Sequence, residues 1–190
     1  LLQHREILLA LGRRTLELST PQQANDASLR QRVYSSLGLD YNALPRAILD
    51  SYACFVTLID QPSGLLRGCI GTLAARMPLA DEVIHSTYET AFNDPRFVPV
   101  APDEVAELRL ELSILTPAQA LPYGDPAQLP TLLRPHIDGV TLFIGERKAT
   151  FLPQVWEKLS DPILFLESLC HKMGLPRHTW RDPQALKLAE

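Results

Sequence analysis

From Leu108 to Leu115 the chain alternates without a break, with Leu108, Leu110, Leu112 and Ile114 apolar and Arg109, Glu111 and Ser113 polar between them. Successive side chains of a strand point to opposite faces, so this period of two predicts a strand with one buried face. Two more strand-like runs, 52–60 and 65–73, flank Gln61-Pro62-Ser63-Gly64, whose proline and glycine supply the dihedral angles of a tight connection. They predict a hairpin, and 139–145 with 148–152 predict a second one joined through Glu146 and Arg147.

Helical periods separate these runs. Ile7, Leu8, Leu11, Thr15 and Leu18 recur at helical spacing among charged residues, which predicts an amphipathic helix that Pro21 ends. Residues 22–45 carry Asn25, Asp26, Ser28, Ser35, Ser36 and Gly38 among few apolar positions, so an irregular surface excursion is expected there. A helix over 79–93 stops before Asp94 because Pro95 pushes the preceding residue out of helical dihedrals. A short helix begins at Pro153, and Asp161-Pro162 with Gly174 mark the start and stop of a last one. Helices interspersed with hairpins predict an α+β fold, a mainly antiparallel sheet with packed helices. No internal repeat, low-complexity tract or linker appears, so 1–190 is read as one domain.

Composition excludes several classes. The 190 residues are 46% hydrophobic and 21% charged, as in folded globular proteins, and the net charge of −4 lacks the positive excess of a nucleic-acid binder. No run approaches the roughly 20 apolar residues that cross a bilayer, so no membrane role is expected. Cys54, Cys69 and Cys170 are odd in number and widely spaced, which predicts neither a disulfide framework nor a cysteine zinc site and fits a reducing, cytoplasmic compartment.

Several blocks then follow one another in a distinctive order. They are Leu66-Arg67-Gly68-Cys69-Ile70-Gly71-Thr72, Asp94-Pro95-Arg96-Phe97, Glu111-Leu112-Ser113-Ile114-Leu115, Asp138-Gly139-Val140, Thr150-Phe151-Leu152-Pro153-Gln154-Val155-Trp156, and Gly174-Leu175 with Trp180. This order resembles the AMMECR family over 52–180. Relatives often carry a further glycine near Gly145-Glu146-Arg147, and some continue past the tryptophan with an aromatic-rich segment. The resemblance implies a larger and a smaller lobe around a cleft that the Leu66–Gly71 segment helps to line, and it supplies no activity. Bacterial and archaeal relatives resemble component A of the AmmeMemoRadiSam set, which implies Memo-like and radical S-adenosylmethionine proteins as partners.

Residues two apart on a strand share a face, so Arg67 is expected beside Cys69. At about 7 Å a cation favours the thiolate by roughly 0.6 kcal/mol in water and 2.4 at an effective dielectric of 20. That biases reactivity without establishing a nucleophile; the structural reading of Cys69 is a small buried residue between glycines against which another element packs. Gly68 and Gly71 admit a close approach of ligand or backbone, and no phosphate-loop or dinucleotide pattern occurs. Asp94-Pro95-Arg96-Phe97 reads as a turn in which Asp94 binds local amides, or as an anion anchor through Arg96. Glu111, if its strand lies near Arg67, joins a polar patch with Cys69 or forms an Arg-Glu pair. Asp81, Glu82, His85 and Glu89 read as a solvated acidic helix face rather than a metal site.

The leading expectation is a cytoplasmic binding component holding a small polar or anionic ligand, or a partner segment, near Arg67, Gly68, Cys69, Gly71 and Arg96. The alternatives are an enzyme using Cys69 with Arg67 and Glu111, and a structural adaptor for the implied partners. No metal and no cofactor are expected.

Overall fold

The computed structural model describes residues 2–187. They fall into two compact units, Leu1–Ala118 and Gln119–Glu190. Among the described residues no helix is long and apolar enough to cross a membrane.

The first unit is built on an antiparallel sheet of β1 (Ala53–Asp60), β2 (Leu66–Gly71) and β3 (Leu108–Leu115), in the order β2-β1-β3. The register puts Val56 between Ile70 and Leu112, and Leu58 between Gly68 and Leu110. The alternation of β3 is thus the inner face of the sheet, and Phe55, Thr57 and Ile59 lie on the other face with Cys69, Arg109, Glu111 and Ser113. A bulge between Leu58 and Ile59 shifts the start of β2. Two helices cover the inner face. Helix α1 (Arg5–Leu18) buries Leu8, Leu11, Thr15 and Leu16 on one stripe, and α4 (Leu79–Phe92) buries Leu79, Val83, Ile84, Thr87 and Ala91. Helix α4 ends with Asn93 as its cap residue, ahead of Asp94-Pro95 as expected.

The irregular excursion expected over 22–45 is not what forms. It contains helix α2 (Ala27–Ser36), and a single turn, α3 (Arg46–Leu49), follows it. Asp26 caps α2 by accepting from the amides of Ser28 and Leu29 at 2.8 and 3.2 Å, and Leu29, Val33 and Tyr34 sink into the core with Leu8, Leu11 and Val83. The polar residues that suggested a loop occupy the outer face and the cap, and two fully buried side chains four apart suffice to hold the helix.

In the second unit α5 (Leu129–Leu132) precedes a hairpin of β4 (Val140–Ile144) and β5 (Arg147–Phe151), which turns at Gly145 with φ +57°. Leu142, Ile144 and Ala149 join Phe165, Leu166, Leu169 and Cys170 of α6 (Pro162–Lys172) in one core, and α7 (Pro183–Lys187) closes the described chain. Asp161 caps α6 through Ile163 and Leu164, with Pro162 in the first turn, as the sequence predicts. Trp156 stacks on Phe165 at 3.7 Å and donates its indole N–H to the carbonyl of Asp138 at 2.7 Å.

Two glycines of β2 have no room for a side chain. A Cβ on Gly71 would lie 2.2 Å from the Cys54 carbonyl oxygen, and one on Gly68 would lie 2.7 Å from the Thr90 carbonyl oxygen of α4. Both obstacles are backbone, which cannot rotate away. Gly71→Ala is therefore expected to destabilise the chain by on the order of 3 kcal/mol, read as a lower urea midpoint, whereas Gly124→Ala, at an exposed position where a Cβ meets only the Gln128 side chain at 3.8 Å, changes it far less.

Candidate functional site: a clamped edge strand

β2 is an edge strand, so every second residue aims its N–H and C=O away from β1, where an unmet pair is both costly and open to pairing. Cys69 is one of these. Its N–H donates to Asp94 Oδ2 at 2.9 Å and its carbonyl accepts from Arg96 Nη2 at 2.9 Å. Asp94 and Arg96 thus supply the acceptor and donor that a neighbouring strand would supply. They also hold each other: Arg96 Nε reaches Asp94 Oδ1 at 2.9 Å, Arg96 Nη2 reaches Oδ2 at 2.7 Å, and the Arg96 amide donates to Oδ1 at 3.1 Å. The Asp94 side chain is 2% exposed and that of Arg96 is 53% exposed. The hydrogen bond from Arg96 outweighs burial and, with the two amides, holds the Asp94 carboxyl at about 2.

Arg67 fastens the following loop. It donates to Glu104 Oε1 and Oε2 at 2.9 and 3.0 Å, to the Val98 carbonyl at 2.9 Å and to the Pro99 carbonyl at 3.4 Å. Glu104 also accepts from the Ala101 amide, and the hydrogen bond from Arg67 holds its carboxyl below the usual range. Behind the strand, Thr90 Oγ1 accepts from the Ile70 amide and donates to the Ser86 carbonyl, locking α4 to β2.

These contacts place the expected site residues. Arg67 and Cys69 are both half-buried in β2, but the guanidinium is paired with Glu104 and not with Glu111. β1 intervenes: Thr57 stands opposite both Cys69 and Glu111, so the latter two are about 10 Å apart, two strand spacings. Glu111 is exposed and pairs with Arg109 at 3.0 Å, which removes it from the role of orienting Cys69 through Arg67. Thr57 Oγ1 donates to Cys69 Sγ at 3.4 Å. Gly68 and Gly71 face α4 and β1 backbone. The Arg96 guanidinium, expected as an anion anchor, is paired with Asp94. Leu65, Leu66 and Val98, around Arg67, are exposed at 67, 40 and 76%. The other thiols are inert by position: burial, then the charge of Glu82, pushes Cys54 up to about 12, and burial raises Cys170.

The acidic face of α4 is not solvated as the sequence suggested. Asp81 accepts from the hydroxyls of Tyr34 and Tyr41 at 2.8 and 3.3 Å, Glu82 is 2% exposed and accepts from Ser86 Oγ, and Asn25 bridges His85 and Glu89. Burial and the bond to Asp81 raise the Tyr34 hydroxyl. Among the described residues no group of three or more His, Cys, Asp and Glu side chains is arranged to hold a metal. A hollow of about 360 Å³ is lined by Arg30, Tyr34, Tyr41 and Asp81, and one of about 350 Å³ by Leu9, Arg13, Gln61, Arg109 and Leu110. Neither of these two is lined by Arg67, Cys69 or Arg96.

A carboxyl group depressed on folding contributes stability above its unfolded value and loses it as the pH falls through its folded one. For Asp94 the window runs from 3.8 down through about 2, and the contribution is roughly 2 kcal/mol. Asp94→Asn is expected to lower stability by about 2 kcal/mol at neutral pH and to remove the difference from the parent chain at the acid end, measured as urea midpoints across that range. A variant that keeps the parent's midpoint at neutral pH contradicts the clamp.

Comparison with known proteins agrees with the fold. The AMMECR1 family profile matches residues 10–188. A protein of Methanothermobacter thermautotrophicus is 38% identical over 142 residues, covering 74% of this chain and 73% of that protein. One of Aquifex aeolicus is 34% identical over 146 residues, covering 74% of each. The crystal structure of an uncharacterised protein, PH0010, from Pyrococcus horikoshii superposes with a TM-score of 0.71 at 31% identity, covering 94% of this chain and 83% of that one. The site residues of β2 and its clamp fall inside the matched region, and the chain belongs to the AMMECR1 family.

Proposed function

We propose that this chain is a binding component that holds a segment of a partner protein against the surface around Cys69, bordered by Arg67 and Arg96. The observation that carries this reading is the charge balance of the surface. Arg67, Arg96 and Arg109 each face a carboxylate within 3.0 Å, on Glu104, Asp94 and Glu111. A free small anion would meet paired charges and little net field, and surface pairs of this kind contribute little attraction at range. A polypeptide segment suits such a surface better: exposed Leu65, Leu66 and Val98 offer apolar contact, and the half-exposed guanidinium of Arg96 beside Cys69 offers N–H donors to a carbonyl or carboxylate.

Thiol chemistry is the weaker reading. A nucleophilic cysteine needs a base within hydrogen-bond reach, and the groups beside the Cys69 thiol are the Thr57 hydroxyl and the Arg96 guanidinium, neither of them a base. The Memo-like and radical S-adenosylmethionine proteins that the resemblance implies are the first partners to try, and a reducing cytoplasm suits the three free cysteines.

Maleimide labelling with pull-down tests the proposal. The folded chain is expected to label at Cys69 alone, bound partner to protect it, and the adduct to lose capture at least tenfold while keeping the parent's thermal transition. Equal capture by labelled and unlabelled chain overturns the reading, as does a Cys69 that labels only after denaturation.

A further inference from the structure

The two edges of the three-stranded sheet are finished differently. On β2 the outward groups of Cys69 are met by Asp94 and Arg96, as described above. On β3 they are not. The bonds from the Thr72 amide to Cys54 and from the Gln61 amide to Glu107 fix the alternation of β1: Cys54, Val56 and Leu58 bond toward β2, and Phe55, Thr57 and Ile59 toward β3. Arg109, Glu111 and Ser113 therefore bond to β1, and Leu108, Leu110, Leu112 and Ile114 aim their backbone groups outward. Arg13 Nη2 takes the carbonyl of Leu108. Among the described residues the N–H and C=O of Leu110, Leu112 and Ile114 have no hydrogen-bond partner, and all three residues are partly exposed. The hollow of about 350 Å³ lined by Leu9, Ala10, Arg13, Gln61, Arg109 and Leu110 borders this edge.

An unmet edge is a template for another strand, and proteins normally blunt it with a covering loop or side chain, as β2 is blunted here. We infer that β3 pairs antiparallel with β3 of a second copy of this chain, about a two-fold axis at Leu112. The strand is its own complement in this register. Leu112 faces Leu112 and Leu110 faces Ile114 of the second copy, so each unmet donor and acceptor finds a partner and the bond from Arg13 to Leu108 stays intact. On the face away from α1 and α4 Glu111 meets Ser113 and Arg109 meets Leu115, so no like charges oppose. An axis at Leu110 would instead need the Leu108 carbonyl that Arg13 holds, and one at Ile114 would leave Leu110 unpaired. The product is a continuous sheet with both helical layers on one side, independent of the surface around Cys69.

Light scattering on a size-exclusion column tests this with the full chain, together with mixed cysteine cross-linking. The mass is expected to be twice that of the chain. Arg109→Cys and Leu115→Cys, oxidised together, are expected to give a cross-linked dimer that neither variant alone nor the parent gives, because facing residues of this type lie about 4.5 Å apart at Cα, within disulfide range. Should either variant fail to fold, amide exchange of the parent chain replaces it: Leu110, Leu112 and Ile114 become protected as concentration rises. A monomer at all concentrations overturns the inference. So does a dimer without the mixed cross-link, which means another interface, or protection that appears only when an unrelated protein is added.

Discussion

The structure around Cys69 depends on one buried carboxylate. The Asp94 side chain is 2% exposed, and its two oxygens take the Cys69 amide, the Arg96 amide and the Arg96 guanidinium. Without it the outward groups of Cys69 would need water or another chain, and a buried group left unmet costs about 1–3 kcal/mol. That is a large share of the 5–15 kcal/mol by which a domain is usually stable. The same contact decides how the chain leaves α4. Pro95 disfavours helix at Asp94, and the carboxylate then ties the turn back to β2, on which α4 packs.

Seen from this clamp, most of the Leu66–Gly71 segment is occupied in holding itself. Gly68 admits the backbone of α4 at Thr90, Gly71 admits the backbone of β1, and Ile70 donates to Thr90. Arg67 holds the loop that carries Val98, Pro99 and Glu104. What remains facing outward is the thiol of Cys69, the exposed leucines before Arg67 and the half-exposed guanidinium of Arg96. The motif is therefore a rigid platform with few free groups, as expected of a site whose geometry is set by its supporting shell.

The sequence made the strands legible because their signal is local. Period two at Leu108–Leu115 and the Pro-Gly connection at 61–64 need no knowledge of partners, and Asp161-Pro162 with Gly174 bounded α6 in the same way. Helix α2 was not legible, since its evidence lay in just Leu29 and Val33 against a polar background, and only the core of the first unit makes those two decisive. Within the site, the turn at Asp94 could be read as an amide binder because Arg96 is two residues away. The pairing of Arg67 with Glu104 could not, because nothing in the chain between two residues 37 positions apart fixes the path of the loop. Nor could the separation of Cys69 from Glu111: sequence puts both on polar faces, and only the strand order inserts β1 between them.

The pairing of charges bears on the kind of recognition this surface supports. Steered association needs an unbalanced field, and Arg67, Arg96 and Arg109 are each matched by a carboxylate within hydrogen-bond distance. With long-range attraction cancelled, discrimination falls to short-range features: apolar side chains that must be covered, and backbone or guanidinium donors that must be met at fixed positions. Those features are fixed here by backbone contacts, through glycine on one side and through Asp94 on the other. For the partner segment proposed above, a surface held so firmly would lose little conformational entropy on binding, so modest contacts at Leu65, Leu66, Cys69 and Arg96 would translate more fully into affinity than the same contacts on a mobile loop.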